Sequence, residues 1–252
     1  MAALLSVDRV SKRFGGLTVV DQLSFEVAEG DAVGIVGPNG AGKTTLLNLV
    51  AGDVRADSGS VTLGGADVTR RSANVRCHLG IGRTSQIPRP FDGLTVFENV
   101  LVGSTFGSGR ARRSSTSRAV EAIAVSALEQ VGMLGRANAP AGTLTLLERK
   151  RLELARALAT EPRLLLLDEI AGGLTEAEVL ELVATIREIR QAGVAVVWIE
   201  HIVHALLRVV DRMIAMDFGR KLIEGPPAEV MASDEVRSVY LGEDIEAAET
   251  TA

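Results

Sequence analysis

The chain has 252 residues, 46% of them hydrophobic and 23% charged, with 27 basic against 32 acidic side chains and a formal net charge of −5. That size and balance describe a globular chain, one large domain or one domain with an insertion, and exclude a general polyanion binder, so nucleic acid is not expected as a partner. The single cysteine, Cys77, rules out an intrachain disulfide; no apolar run reaches the ~18 residues of a membrane-spanning helix, and the N-terminus lacks the basic start of a secretory signal.

Leu4–Val10 and Thr18–Val27 alternate apolar and polar residues and predict two strands. The apolar run from Asp31 to Gly37 predicts a buried strand, and Thr44–Gly52 a helix closed by glycine. Between them, Gly37, Pro38, Asn39, Gly40, Ala41, Gly42, Lys43, Thr44 and Thr45 fill every fixed position of the pattern G-x-x-x-x-G-K-[ST]. Glycines let successive N–H groups point into one concavity, which holds the phosphates of a nucleotide at a helix N-terminus. Lys43 is expected to reach the β- and γ-phosphates, and Thr44 to set its hydroxyl on Mg²⁺.

Ser60–Leu63 predicts a short strand, with Gly64 and Gly65 as a turn. Thr95 and Glu98 have the spacing of a capping box that opens a helix. Gly103–Ser117, with Arg110, Arg112, Arg113 and Arg118 in or beside it, predicts a mobile surface loop; contact with an anionic surface such as lipid headgroups is the other reading. Arg118–Val131, Leu147–Ala159 and Thr175–Gln191 predict helices, the last opened by the pair Thr175 and Glu178. Arg163–Asp168, Val194–Ile199, Met213–Asp217 and Lys221–Glu224 predict strands. Strands alternating with helices imply a mainly parallel sheet covered on both faces. Asp244–Ala252 is acidic and rich in small residues, an expected frayed tail.

A phosphate loop implies a nucleotide but not its hydrolysis. Four leucines lead into Asp168 and Glu169. An acidic residue at the end of a buried strand beside a phosphate loop can hold Mg²⁺ through water, which is the role expected of Asp168. Glu169 then stands where it can take a proton from an attacking water. The plainer reading of the pair is an acidic strand end capping the next segment. Gln86, in the run Gly82–Phe91, can orient water and touch Mg²⁺ without competing for a proton, or be a solvated loop amide. His201 follows the strand that ends near Ile199; it can contact a γ-phosphate and orient the water, or be structural, as His78 and His204 are read to be.

Taken in order, these pieces resemble the ATP-binding subunits of ABC transporters over nearly the whole chain. The resemblance implies an α/β P-loop NTPase of ABC type, with a mainly parallel core sheet, a small antiparallel β subdomain and a helical subdomain inserted around Phe97–Ala157. It makes residues 1–243 one ABC ATPase domain and 244–252 a tail. Phe14, in the run from Arg13 to Leu17, matches the aromatic that stacks on adenine. Gln86 matches the glutamine loop, Glu169 the catalytic glutamate and His201 the switch histidine; Gly172–Thr175 matches the loop that crosses the dimer interface.

The family signature, usually Leu-Ser-Gly-Gly-Gln, is altered here to Leu144-Thr145-Leu146-Leu147-Glu148. Thr145 can supply the hydroxyl. Two leucines replace glycines that allow close approach to phosphate, and Glu148 replaces a neutral amide with a charge of the ligand's own sign.

The runs Arg13–Leu17, Arg83–Gln86, Leu94–Val100, Asp217–Gly219, Glu224–Gly225 and Tyr240–Glu243 are similar to the branch that serves branched-chain amino acid importers. The resemblance implies ATP and Mg²⁺ as ligands and a second ABC ATPase subunit as mate. It also implies two transmembrane permease subunits, an extracytoplasmic substrate-binding protein acting at a distance, and a place on the cytoplasmic face of the membrane. The segment Gln86–Phe97 is expected to dock the membrane partners, with Phe91 and Phe97 as anchors, although core packing is the favoured reading for Phe97, on the apolar side of a helix start. A soluble ABC ATPase of DNA repair or ribosomes is one rival reading, disfavoured because the chain carries neither a long coiled-coil insertion nor tandem halves. A subunit that binds ATP but hydrolyses it weakly is the other, and the altered signature speaks for it.

Overall fold

The computed structural model describes residues 3–107 and 116–238. Its strands, in chain order, are β1 (Ala3–Phe14), β2 (Leu17–Ala28), β3 (Ala32–Val36), β4 (Ser58–Leu63), β5 (Ala66–Asp67), β6 (Ile81–Arg83), β7 (Leu164–Asp168), β8 (Ala195–Ile199), β9 (Arg212–Asp217) and β10 (Arg220–Gly225). They form two sheets. One is antiparallel in the order β2-β1-β4-β5; the other runs β10-β9-β3-β8-β7-β6 and is parallel except for β10 at its edge. The helices are α1 (Lys43–Ala51), α2 (Ala73–His78), α3 (Val96–Phe106), α4 (Ser117–Gln130), α5 (Leu146–Leu158), α6 (Glu176–Gln191), α7 (Val203–Leu206) and α8 (Pro227–Ala232). This is the α/β arrangement that the sequence implies.

The four leucines of β7 show why its sequence is apolar without alternation. Leu164 and Leu166 face a core formed with α1 and the antiparallel sheet, while Leu165 and Leu167 face a second core under α3 to α7. Val197 and Ile199 of β8 point to the first core, Val196 and Trp198 to the second. A parallel sheet covered on both faces needs apolar residues at both parities. Helices α3, α4 and α5 also pack on one another and form a layer of their own.

Several elements differ from the sequence expectations. The first strand runs on to Phe14, because β1 pairs with β2 down to Phe14 and Leu17 at the hairpin. The stretch Gly103–Ser117, expected as a loop, is helical at both ends: α3 reaches Phe106 and α4 starts at Ser117, which places Arg118 in its first turn. Arg110, Arg112 and Arg113, the run Tyr240–Glu243 and the tail 244–252 lie outside the described residues. Helix α2, six residues with no apolar stripe, was not legible. It delivers the buried Arg76, whose guanidinium donates to the carbonyls of Leu49 and Val50 at 2.7 and 2.8 Å. It thus satisfies carbonyls that the end of α1 leaves open.

Candidate functional site

The loop between β3 and α1 needs glycine at two places. Gly37 has φ +150°, and a Cβ there would lie 2.1 Å from the carbonyl oxygen of Met216; Gly42 has φ +92°, and its Cβ would lie 2.3 Å from that of Val19. Both left-handed positions sit against backbone, so no side chain fits. The turn between β9 and β10 supports the loop: the Gly219 amide donates to Ala41 at 3.1 Å, and the Gly219 carbonyl accepts from Asp21 at 2.9 Å. Lys43 is buried, and its ammonium donates to the carbonyls of Gly37 at 2.6 Å and Pro38 at 2.8 Å. Pro38 is half-buried and Asn39 and Gly40 are exposed; Thr44 and Thr45 follow Lys43 in the first turn of α1, with Thr44 exposed. Phe14 lies on the β1–β2 hairpin whose Val19 touches this loop; its ring is half exposed, and Lys12 Nζ lies 5.3 Å from the ring centre.

The parallel register sets the ends of β3, β7, β8 and β6 side by side, since Ile35 pairs with Ile199, Asp168 with Ile199 and Arg83 with Leu166. The crevice outside the carboxyl ends of parallel strands is where open α/β sheets bind ligands. Asp168 is 1% exposed. Its carboxylate accepts from the Thr44 hydroxyl at 3.4 Å and meets the Arg83 guanidinium at 3.3 Å, and Arg83 also pairs with Asp53. Burial raises the Asp168 pKa, and the Arg83 charge opposes that rise. The Thr44 hydroxyl and the Asp168 carboxylate are hard oxygen donors of the class Mg²⁺ takes, so the residues fit that ion. Among the described residues no cluster of three or more His, Cys, Asp or Glu would hold a metal alone. An ion here would complete its shell with water and phosphate oxygens.

Glu169 takes a left-handed backbone, φ 47°. One of its carboxylate oxygens lies 2.7 Å from Nε2 of His201, and the other accepts the side-chain amide of Gln86. The three residues singled out for water chemistry thus meet at one carboxylate. Two buried charges support them. Glu200 accepts the amides of Ala171 at 2.7 Å and His201 at 3.1 Å, tying the turn after β7 to the turn after β8; burial raises its pKa and those amides oppose the rise. Lys150 of α5 donates to the carbonyl of Gln86. Sequence reasoning missed Arg83, Lys150 and Glu200 as site residues. The available signal for Glu200 was a charged residue closing an apolar strand, and for Arg83 its place three residues before Gln86.

Thr145 stands apart from this cluster as the N-cap of α5. Its hydroxyl accepts the Glu148 amide at 3.3 Å, and the Glu148 carboxylate accepts the Thr145 amide at 2.9 Å. The spacing Thr-x-x-Glu marks this third capping box as plainly as it marks those at Thr95 and Thr175. Glu148 also pairs with Arg136 at 3.0 Å, which offsets the charge that looked unfavourable in sequence. Phe97 is partly buried and packs on the helical core, whereas Phe91 is exposed beneath the Arg156 guanidinium, 4.8 Å from its ring centre.

Residues 20–172 match the sequence pattern of the ABC transporter family. The chain belongs to that family. A second pattern, that of branched-chain amino acid ATP-binding cassette transporters, matches residues 220–246. This ABC ATPase is 36% identical to the high-affinity branched-chain amino acid transport ATP-binding protein LivG of Salmonella typhimurium, over 95% of the chain and 98% of that protein. It is 33% identical to the lipopolysaccharide export system ATP-binding protein LptB of Acidithiobacillus ferridurans, over 98% of the chain and all of that protein (100%). Among solved structures, the ADP conformation of MJ1267, an ATP-binding cassette of an ABC transporter, superposes with a TM-score of 0.86 at 28% identity, covering 96% of this chain and 100% of that one. The ABC ATPase has no helix among its described residues long and apolar enough to cross a membrane.

Proposed function

We propose that this ABC ATPase energises import of branched-chain or related amino acids through membrane permease subunits, working as one of two ATPase subunits on the cytoplasmic face. The observation that carries hydrolysis is the Glu169 carboxylate, held between His201 and Gln86 at the strand ends beside the phosphate loop. The cargo reading rests on the C-terminal match at residues 220–246, which favours the amino-acid importers over export systems.

In this reading Phe14 stacks on adenine, and the N–H groups of Gly37–Thr45 with the Lys43 ammonium hold the phosphates. Thr44, Gln86 and Asp168 would hold Mg²⁺, which supplies charge neutralisation at the phosphates. Glu169 takes the proton from the attacking water while His201 fixes the orientation of that carboxylate and senses the γ-phosphate. Thr145 of the mate faces the nucleotide across the interface. Closure of two subunits excludes water, so these fixed charges act in a less polar medium. Loss of the γ-phosphate removes the ligand the two subunits share, and they part. The motion passes to the permease subunits through the segment Gln86–Phe97. There Phe91 lies under the Arg156 guanidinium, and Arg156 also lines a cavity of about 310 Å³ with Cys77, Arg83, Val102, Phe106 and Glu153.

The test is reconstitution of the full chain with its membrane subunits in vesicles, with leucine and an external binding protein outside. ATP-dependent leucine uptake, and ATPase activity that rises with the loaded binding protein, are the expected results. ATP hydrolysis indifferent to both would reject the import reading.

A further inference from the structure

Lys150 is 4% exposed, yet it carries a charge in a place where leucine or methionine would fill the same space. A buried ammonium is unfavourable unless its donors are used. Here they are used on backbone from two separate segments: the carbonyl of Gln86 at 2.8 Å and the carbonyl of Glu169 at 3.3 Å. The Glu169 carbonyl also accepts the Gly172 amide at 3.3 Å, so the turn already closes on itself and the lysine adds a tie from outside it. Four carboxylates, Glu200, Glu169, Glu153 and Asp168, surround the ammonium and favour its charged form against the burial that opposes it. Lys150 lies five residues beyond Thr145 on α5, about 7.5 Å along the helix axis.

We infer that Lys150 is a positioning residue for ATP hydrolysis: it fixes the Gln86 loop and the Glu169 turn to each other and to the helix that begins at the signature segment. The inference rests on the roles proposed above for Glu169 and Gln86. No proton and no phosphate passes through the lysine. It acts on the place of two side chains by holding their backbones. A general base works only within hydrogen-bond reach of its proton, and a misplacement of about 1 Å lowers a rate by about 10²-fold. Because the ammonium is mounted on α5, any shift of that helix moves both carbonyls together.

The test compares Lys150→Met, Lys150→Arg and Glu169→Gln in the full chain assembled with its membrane subunits. It measures kcat and KM for ATP, equilibrium binding of ATP and thermal unfolding. Lys150→Met keeps an unbranched side chain one atom shorter and loses the donors. It is expected to lower kcat by about 10- to 100-fold with KM and ATP affinity changed less than about threefold. Lys150→Arg, which keeps donors at the site, is expected to recover most of the loss. A wild-type kcat in Lys150→Met overturns the inference. So does an equal loss of kcat in both lysine variants alongside an equal loss of stability, since that marks a packing role. If Lys150→Met does not fold, Lys150→Gln decides, with a neutral amide donor group expected to give an intermediate kcat at unchanged affinity; a wild-type kcat there overturns the role. Glu169→Gln turning over at the wild-type rate would overturn the base assignment itself. Normal behaviour of Lys150→Met beside a dead Glu169→Gln would remove the lysine's role alone.

Discussion

Nε2 of His201 lies 2.7 Å from a carboxylate oxygen of Glu169, joining the turn after β8 to the turn after β7. Two residues 32 positions apart in sequence are brought together because their strands are neighbours in the sheet. The contact sets the carboxylate's orientation and does not involve the backbone of the loop Gly37–Thr45. Glu169→Gln should therefore retain ATP affinity and lower kcat by about 10²-fold or more, the range for loss of a general base. His201→Ala should lower kcat at retained affinity as well. Parallel measurements of ATP binding and steady-state hydrolysis check both; near wild-type hydrolysis by Glu169→Gln would remove it as the base.

Two residues of the phosphate loop should fail in different ways. Lys43→Ala removes the ammonium proposed to neutralise phosphate charge, so tight ATP binding should be lost, by more than about tenfold, given about 1.5–3 kcal/mol for a hydrogen bond to a charged group. Gly42→Ala should lose binding and stability together. Its Cβ would meet the Val19 carbonyl oxygen at 2.3 Å, and the left-handed backbone adds about 1–3 kcal/mol of strain for a non-glycine residue. Nucleotide titration and thermal melts of the two variants distinguish these outcomes. Unchanged affinity in Lys43→Ala would reject its phosphate-binding role.

The phosphate-loop pattern was legible because it is written in consecutive residues, with glycines at the two positions where backbone leaves no room. The strands β3, β7 and β8 were legible because a sheet buried on both faces demands unbroken apolar runs. The ties among Arg83 and Asp168, Lys150 and Gln86, and Glu200 and Ala171 were not. Each joins segments far apart in the chain, and two of them end on backbone atoms that every residue carries. Helix α2 escaped notice for a local reason: a six-residue helix is too short for its periodicity to stand out.

The capping box at the start of α6 makes a pH prediction. Glu178 accepts hydrogen bonds from the backbone amide and the hydroxyl of Thr175, both at 2.8 Å, and these hold its pKa below the ordinary 4.5. The folded chain then binds this proton less readily than the unfolded one. The carboxylate's contribution is complete above about 4.5 and is lost as pH falls through the lower folded value. Glu178→Ala should melt below wild type at pH 7, and the gap should narrow as pH falls toward 3. Taking the difference between variant and wild type cancels groups such as Glu200, whose raised pKa acts in the opposite direction. A gap that stays constant with pH would assign the effect to the alanine and not to the charge.

The altered signature gives the last prediction. Leu146 is 42% exposed at the first position of α5, and its Cδ2 lies 3.1 Å from the point a Cβ on Gly173 would occupy. Leu147 beside it is buried, so the two leucines do different things. The hydroxyl of Thr145 takes the amide of Glu148, the third residue of the helix, and leaves the amides of Leu146 and Leu147 facing the N-terminal end, where a helix attracts anions. In the dimer proposed above, the exposed isobutyl side chain at Leu146 would stand in the approach of a phosphate from a mate's nucleotide, and glycine at this position would clear it. The change lowers helix stability by about 1 kcal/mol, whereas truncating buried Leu147 lowers it by about 2–5 kcal/mol. Leu146→Gly should therefore raise ATP turnover several-fold in the assembled transporter with little loss of melting temperature. Leu147→Gly should lose stability before any gain can be read. A Leu146→Gly variant that hydrolyses no faster than wild type would show that the mate's nucleotide does not approach this helix end closely enough for the leucine to matter.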